Sequence, residues 1–124
     1  MKEIVSTDKA PKAIGPYSQA VKSGNFIFVS GQLPIDPSNQ QMPQTVSEQT
    51  ELCIKNIKNI LESAGFSIKD IVKTTVFMTD LSKFNEMNSK YAEFFDSNPP
   101  ARATVEVKAL PKGATVEIEA IAVK

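Results

Sequence analysis

The sequence predicts an α+β fold, a mixed sheet carrying two helices on one of its faces. Three observations lead there. Phe26-Ile27-Phe28-Val29 and Ile71 to Thr79 are β-prone runs that are apolar on both sides, the pattern of strands covered on both faces. Arg102 to Val107 and Thr115 to Val123 alternate by residue, the period of half-buried strands. Between these, two stretches place apolar side chains at three- and four-residue spacing behind capping residues, the mark of amphipathic helices.

Taken in order, Ile4-Val5 is a short first strand, and Ala10 to Tyr17 is a loop punctuated by Pro11, Gly15 and Pro16. Ser18 to Lys22 is extended, Ser23-Gly24-Asn25 is a hairpin turn, and Phe26 to Val29 is the return strand. Ser30-Gly31-Gln32-Leu33-Pro34 leaves that strand for a polar loop reaching Pro43. Thr45 and Glu48 form a capping box. Behind it Val46, Cys53, Ile57, Ile60, Leu61 and Ala64 share one helical face, and Gly65 sits where a helix stop belongs. On that face Cys53 reads as a buried structural thiol.

The strand from Ile71 to Thr79 sets Val72, Val76 and Met78 on one face, Ile71 and Phe77 on the other. Asp80 or Ser82 caps a second helix bearing Leu81, Phe84, Met87, Tyr91, Phe94 and Phe95. Pro99-Pro100 ends it, because successive prolines cannot continue a helix. Next comes a strand with Arg102, Thr104 and Glu106 on one face and Ala103, Val105 and Val107 on the other. A turn around Leu110 to Gly113 leads to the last strand. Its faces are Val116, Ile118, Ala120 and Ala122 against Glu117, Glu119, Ile121 and Val123.

The resulting order, strand, strand, helix, strand, helix, strand, strand, is that of a split βαβ arrangement. It contains a conflict. Two helices cover one sheet face, yet several strands are apolar on both. Glu117, Glu119 and Arg102 are expected on the bare face, where a dry core would leave them unpaired. Association of copies through their bare faces resolves this, with charges paired near the seams and a ligand site at a subunit boundary.

The bulk composition bounds the function. With 124 residues the chain is one domain spanning 1–124 and needs no covalent staples. Lys+Arg and Asp+Glu both number 14, for a formal net charge of zero, which argues against holding nucleic acid or a membrane by overall charge. Met1 to Lys9 lacks an apolar signal core, and no run approaches a membrane span. Cys53 is the only cysteine, so no intramolecular disulfide forms, and a cytoplasmic protein is expected. There is no histidine. Imidazole bases, histidine-bearing metal sites and Ser-His-Asp or Cys-His nucleophiles are therefore excluded. Proton transfer is left to carboxylates, tyrosines, lysines, the thiol, backbone or water.

Arg102 follows the stiff entry Asn98-Pro99-Pro100-Ala101, a good place to fix a planar, permanently charged fork. A strand-end arginine also commonly sits in a weak surface ion pair. Glu117 with Glu119 fits an outward stripe partnered by lysines as well as a general base.

At Gly15-Pro16-Tyr17-Ser18-Gln19-Ala20, Ser30-Gly31-Gln32, Val72-Lys73-Thr74-Thr75-Val76, Pro100-Ala101-Arg102 and Glu117-Ile118-Glu119-Ala120, the chain closely resembles the reactive-intermediate deaminase (Rid, YjgF-type) family. The motifs stand in the family's order and run essentially end to end. The resemblance implies a chorismate-mutase-like fold and a homotrimer whose sheets form a central β-barrel with clefts between subunits. It implies hydrolysis of enamines and imines such as 2-aminoacrylate, 2-iminopropanoate and 2-iminobutanoate, released by pyridoxal-phosphate dehydratases, to 2-keto acids and ammonia. No cofactor and no metal are implied. Carried onto this sequence, the carboxylate-binding arginine is Arg102 and the water-activating glutamate Glu117. Tyr17 becomes a pocket residue, Ser30 and Gly31 the backbone turn, and Asn88 a helix-borne polar group. Many relatives have cysteine two residues after the arginine. Here that substrate-facing position is Thr104, so no thiol chemistry is expected there, and the loop from Asp96 to Pro100 is short.

The chemistry suits these residues. Arg102 can hold a carboxylate through two parallel hydrogen bonds, each contributing roughly 1.5–3 kcal/mol, which matches binding on the order of millimolar. Glu117 can take a proton from water aimed at the C=N carbon and return it to the departing nitrogen. Two other functions compete with deaminase activity: a non-catalytic binder of small carboxylates or keto acids with a regulatory role, and a ribonuclease or translation inhibitor.

Overall fold

The computed structural model describes every residue, Met1–Lys124. Its strands are β1 (Lys2–Val5), β2 (Ala20–Ser23), β3 (Phe26–Gln32), β4 (Ile71–Met78), β5 (Ala101–Glu106) and β6 (Val116–Val123). They form one six-stranded sheet in the order β1-β2-β3-β6-β4-β5. All neighbours are antiparallel except β4 and β5, which run parallel. The helices are α1 (Val46–Ser63) and α2 (Phe84–Ala92). Both lie on the same face, where α1 packs on β3, β6 and α2. The architecture is α+β, as the sequence predicts, with the Ile4-Val5 segment forming a third strand ahead of the first helix.

Local chemistry accounts for both ends of α1. The Thr45 hydroxyl accepts from Glu48 N at 3.1 Å. It also donates to the Glu48 carboxylate at 2.9 Å, so the glutamate answers the cap through the hydroxyl rather than through the backbone of Thr45. At the other end Gly65, at φ +83°, lets Phe66 N reach Leu61 O at 2.9 Å and Gly65 N reach Glu62 O at 3.2 Å, a Schellman closure that satisfies otherwise orphaned carbonyls.

The core lies between the helices and the sheet. Ile27, Val29, Cys53, Ile57, Ile60, Leu61, Val76, Met78, Met87, Val116 and Ile118 are buried in one cluster. Cys53 is enclosed there with its thiol directed at Val116 O, and burial pushes its pKa well above the ordinary value. On β6 the alternation holds as read: Val116, Ile118, Ala120 and Ala122 are buried.

The opposite face has no cover in this chain. Phe26 and Phe28 stack there and remain 46% exposed, and Ile4 and Val105 are exposed on it as well. The doubly apolar β3 run therefore packs on one side only. No helix is long and apolar enough to cross a membrane.

Four expectations are corrected. The β3 strand does not end at Val29 but runs to Gln32 through a bulge, because Val29 pairs with Ala120 and Gln32 with Ile118. Ser30 and Gly31 thus belong to a bulged strand, not a departing turn. In β4 a second irregularity between Ile71 and Lys73 puts Ile71 on the core face opposite Ala122, and Val72 is the exposed residue. Helix α2 stops at Ala92, well before the prolines. Its hydrogen bonds tighten to three-residue spacing at Glu93 and Phe94, freeing Phe95 to pack on Tyr91 at 4.6 Å. Most consequential is Arg102. The parallel register pairs Thr74 with Arg102 and Val76 with Thr104, so Arg102 projects on the helix side rather than on the bare face with Glu117.

Candidate active site

The candidate residues gather in two clusters on opposite sides of the sheet. The first is built on β5 and α2. Phe84, Asn88 and Tyr91 stand four and three residues apart and so share one helical face, and Arg102 reaches across to it. The guanidinium donates from Nη1 to Asn88 Oδ1 at 2.8 Å. Its carbon lies 4.7 Å from the Tyr91 ring centroid and 5.5 Å from that of Phe84, within cation–π range. The Tyr91 hydroxyl is bonded to Thr74 Oγ1 at 2.7 Å. Burial raises the Tyr91 pKa, against smaller lowering effects of Thr74 and Arg102.

Arg102 is the only arginine in the chain. It forms no ion pair; the two pairs present are Lys55–Glu51 and Lys90–Glu93, both on helix surfaces. The surface ion pair open to a strand-end arginine is therefore not formed. Two residues along the same face, the Thr104 hydroxyl is buried and has no hydrogen-bond partner. This face of β5 therefore carries a half-buried cation without an acidic partner and, two residues on, a buried hydroxyl without a hydrogen-bond partner.

The second cluster lies at the β3 bulge and on β6. Glu117 projects onto the bare face, paired in register with Phe77. Its carboxylate packs so closely on Gly31 that a Cβ there would overlap it. Desolvation, and secondarily the charge of Glu119, raise the Glu117 pKa. No lysine pairs with either glutamate. Ser30 is held rather than free, since its hydroxyl donates to Ser18 O at 2.6 Å and its N to Gln19 O at 2.9 Å.

Beside Gly31 opens a cleft of about 350 Å³ whose lining includes Tyr17, Ile14, Leu33, Ile35 and Lys112. Tyr17 is half exposed at its rim. Buried amides hold the walls. Gln19 ties the Thr7, Ala10 and Pro11 carbonyls, and Asn56 donates to Leu33 O and Ile35 O at 3.0 Å each. No three Cys, Asp or Glu side chains converge to hold a metal ion.

The structure thus brings together Arg102, Asn88 and Thr104 in one cluster, and Tyr17, Ser30, Gly31 and Glu117 in the other. It does not bring Arg102 and Glu117 together within one chain. Sequence reasoning missed Phe84, Tyr91 and Thr74 as partners of Arg102. The available signals are the uniqueness of Arg102 and the helical spacing that sets Phe84 and Tyr91 on one face with Asn88, although the apolar spacing of Phe84 and Tyr91 serves a core equally well.

Comparison with known proteins identifies the family. Residues 7–124 match the family described as Endoribonuclease L-PSP. A RutC family protein of Pyrococcus horikoshii is 51% identical over 125 residues, covering 100% of this chain and 99% of that one. Among solved structures, the YjgF gene product of E. coli shares 46% identity at a TM-score of 0.96, with 98% of each chain covered. E. coli TdcF, solved with bound serine, shares 46% identity at a TM-score of 0.95, again with 98% of each covered. RidA from an Antarctic Psychrobacter shares 47% at 0.95, covering 98% of this chain and 99% of that one. On sequence and on fold alike, the chain belongs to the Rid/YjgF family.

Proposed function

We propose that the protein is a cofactor-independent, cytoplasmic imine and enamine deaminase, converting 2-iminopropanoate and 2-iminobutanoate to 2-keto acids and ammonia. The observation that carries this reading is the chain's single arginine, held half-buried by Asn88 and two aromatic faces with no acidic partner. A small carboxylate answers that vacancy in charge. TdcF, a relative of the same fold, is solved with serine bound, a ligand of matching size.

In the proposed reaction Arg102 grips the substrate carboxylate and Thr104 offers its free hydroxyl to the same group. Glu117 takes a proton from water as its oxygen bonds to the C=N carbon, giving a carbinolamine. That proton passes to nitrogen, the carbinolamine hydroxyl then gives its own proton to the same nitrogen by way of Glu117, and the C–N bond breaks as the C=O bond forms, so that ammonia leaves carrying both protons of the water. An enamine such as 2-aminoacrylate first gains a proton at its terminal carbon. The raised Glu117 pKa brings the base nearer the working pH, where proton transfer is efficient.

Because Arg102 and Glu117 occupy opposite faces, the reading requires two copies to complete one site. The bare face with Phe26 and Phe28 is the surface for this, and a homotrimer with its sheets closed into a central, chorismate-mutase-like barrel is the proposed assembly. Each cleft then joins Tyr17, Gly31 and Glu117 of one copy to Arg102, Asn88 and Thr104 of the next. The test generates 2-aminoacrylate with a pyridoxal-phosphate dehydratase and times keto-acid release. Acceleration by the wild type, lost in Arg102→Ala and Glu117→Ala, is expected. Binding of 2-ketobutyrate without acceleration would instead identify a carboxylate binder, and RNA cleavage surviving Arg102→Ala would identify a ribonuclease.

A further inference from the structure

We propose that Tyr91, anchored by Thr74, is a positioning residue that sets the plane of the Arg102 guanidinium for its anionic ligand. This rests on the reading of Arg102 as the carboxylate grip and extends it to two buried residues that touch no ligand. Four observations converge on it.

Thr74 is the register partner of Arg102 across the parallel pair β4–β5, so the backbone carries both side chains to the same level of the same face. Tyr91 comes from the last turn of α2 and lies over the guanidinium at 4.7 Å, the nearer of two aromatic contacts. The Tyr91 ring cannot pivot freely. Its hydroxyl is tied to Thr74 at 2.7 Å and Phe95 packs on it at 4.6 Å. Both anchor residues are buried, Tyr91 at 5% and Thr74 at 1% relative exposure.

The hydroxyl is the informative atom. A phenylalanine would give the same cation–π face, and a core position beside Met87 and Val76 does not call for oxygen. A buried Tyr–Thr bond has to be satisfied on both sides to avoid a desolvation cost, and in return it fixes the ring's rotation. A ring so fixed is a flat platform. Asn88 then takes one donor at Nη1, which sets the fork's rotation within that plane. Platform and hydrogen bond together leave the rest of the fork presented in a single orientation, the condition for two parallel bonds to one carboxylate. A phenol is neutral at neutral pH and burial shifts Tyr91 further that way, so Tyr91 brings no negative charge to compete with the ligand.

The experiment uses the full-length protein and two readouts, the Kd for 2-ketobutyrate by calorimetry and steady-state hydrolysis of 2-iminobutanoate. Thr74→Val and Tyr91→Phe, which remove one hydroxyl each, are expected to raise Kd and KM about threefold, and Tyr91→Leu about tenfold, with kcat changing less than twofold. Thr74→Ser is expected to restore wild-type values. In an Arg102→Ala background Tyr91→Leu is expected to change the residual Kd by less than twofold, since the coupling runs through the guanidinium. Wild-type Kd in both Thr74→Val and Tyr91→Leu would overturn the proposal. So would equal losses in the presence and absence of Arg102, or a fall in kcat that Thr74→Ser does not reverse. Should Tyr91→Leu not fold, Thr74→Val and Tyr91→Phe decide. Arg102-dependent binding without hydrolysis would sink the deaminase reading and leave the positioning proposal to be judged on Kd alone. Binding indifferent to Arg102→Ala would overturn the positioning proposal directly.

Discussion

Glu117 shows how one carboxylate can oppose the fold that presents it. Its pKa is raised by desolvation and then by Glu119, so the folded chain binds the Glu117 proton more tightly than the unfolded chain does. By linkage the group disfavours folding wherever it is ionised, and that penalty vanishes as pH falls through the raised folded-state value to below the ordinary glutamate range. Glu117→Gln is therefore expected to raise Tm at pH 7, and the gap over wild type should close in scans run near pH 4. A variant less stable than wild type at pH 7 would contradict this account of the site. At the same scale, residue chemistry was partly legible beforehand. Arg102 stands out by its stiff strand entry, Glu117 is singled out only by the resemblance to the family, and helical period alone puts Cys53 in the core. The aromatic platform was not legible, because Phe84 and Tyr91 satisfy a core pattern equally well. Only the position of Arg102 over their rings separates the two roles.

Among the elements, the β3 bulge is the device on which the proposed chemistry leans most. One extra residue between Val29 and Gln32 shifts the strand's pleat, and at that point Gly31 yields its side-chain space to the Glu117 carboxylate. The backbone at Gly31 has no positive φ, so alanine fits it without strain. What alanine displaces is the mobile end of a glutamate. Gly31→Ala is accordingly expected to fold with a Tm within a few degrees of wild type while losing on the order of 10²-fold in turnover, the worth of a well-placed general base. Circular dichroism melts and the imine assay on one preparation check both halves. Strand existence and face parity were readable in β6 because alternation over eight residues is unambiguous. The bulges in β3 and β4 were not, since a one-residue slip leaves composition and period unchanged and is fixed only by the partner strand. The end of α2 was misplaced for a related reason. Prolines bound where a helix can reach, but here the backbone hydrogen bonds tighten to three-residue spacing at Glu93 and Phe94 and end it sooner.

For the whole molecule, the decisive fact is topological. Inserting β6 between β3 and β4, and running β5 parallel to β4, sends Arg102 and Glu117 to opposite faces. No reading of strand parity could show that, because it depends on which neighbour each strand pairs with and in which direction. The proposed assembly makes a quantitative expectation. Arg102→Ala and Glu117→Ala trimers, each inactive alone, are unfolded together and refolded at equal ratio. Every mixed trimer then holds one intact cleft of three, so about a quarter of wild-type activity should return. Mixtures that stay inactive would mean that both side chains serve the same cleft from one chain.

The separation of the two groups across the sheet also has a consequence for when the protein can act. A newly synthesised chain, however well folded, carries two unmatched halves, and under the proposed reading it can neither bind nor hydrolyse until it meets its copies. Catalytic output at low abundance would then rise more steeply than the amount of polypeptide. The cell would possess this activity only above a threshold of expression, set by how tightly the aromatic faces of the sheets adhere.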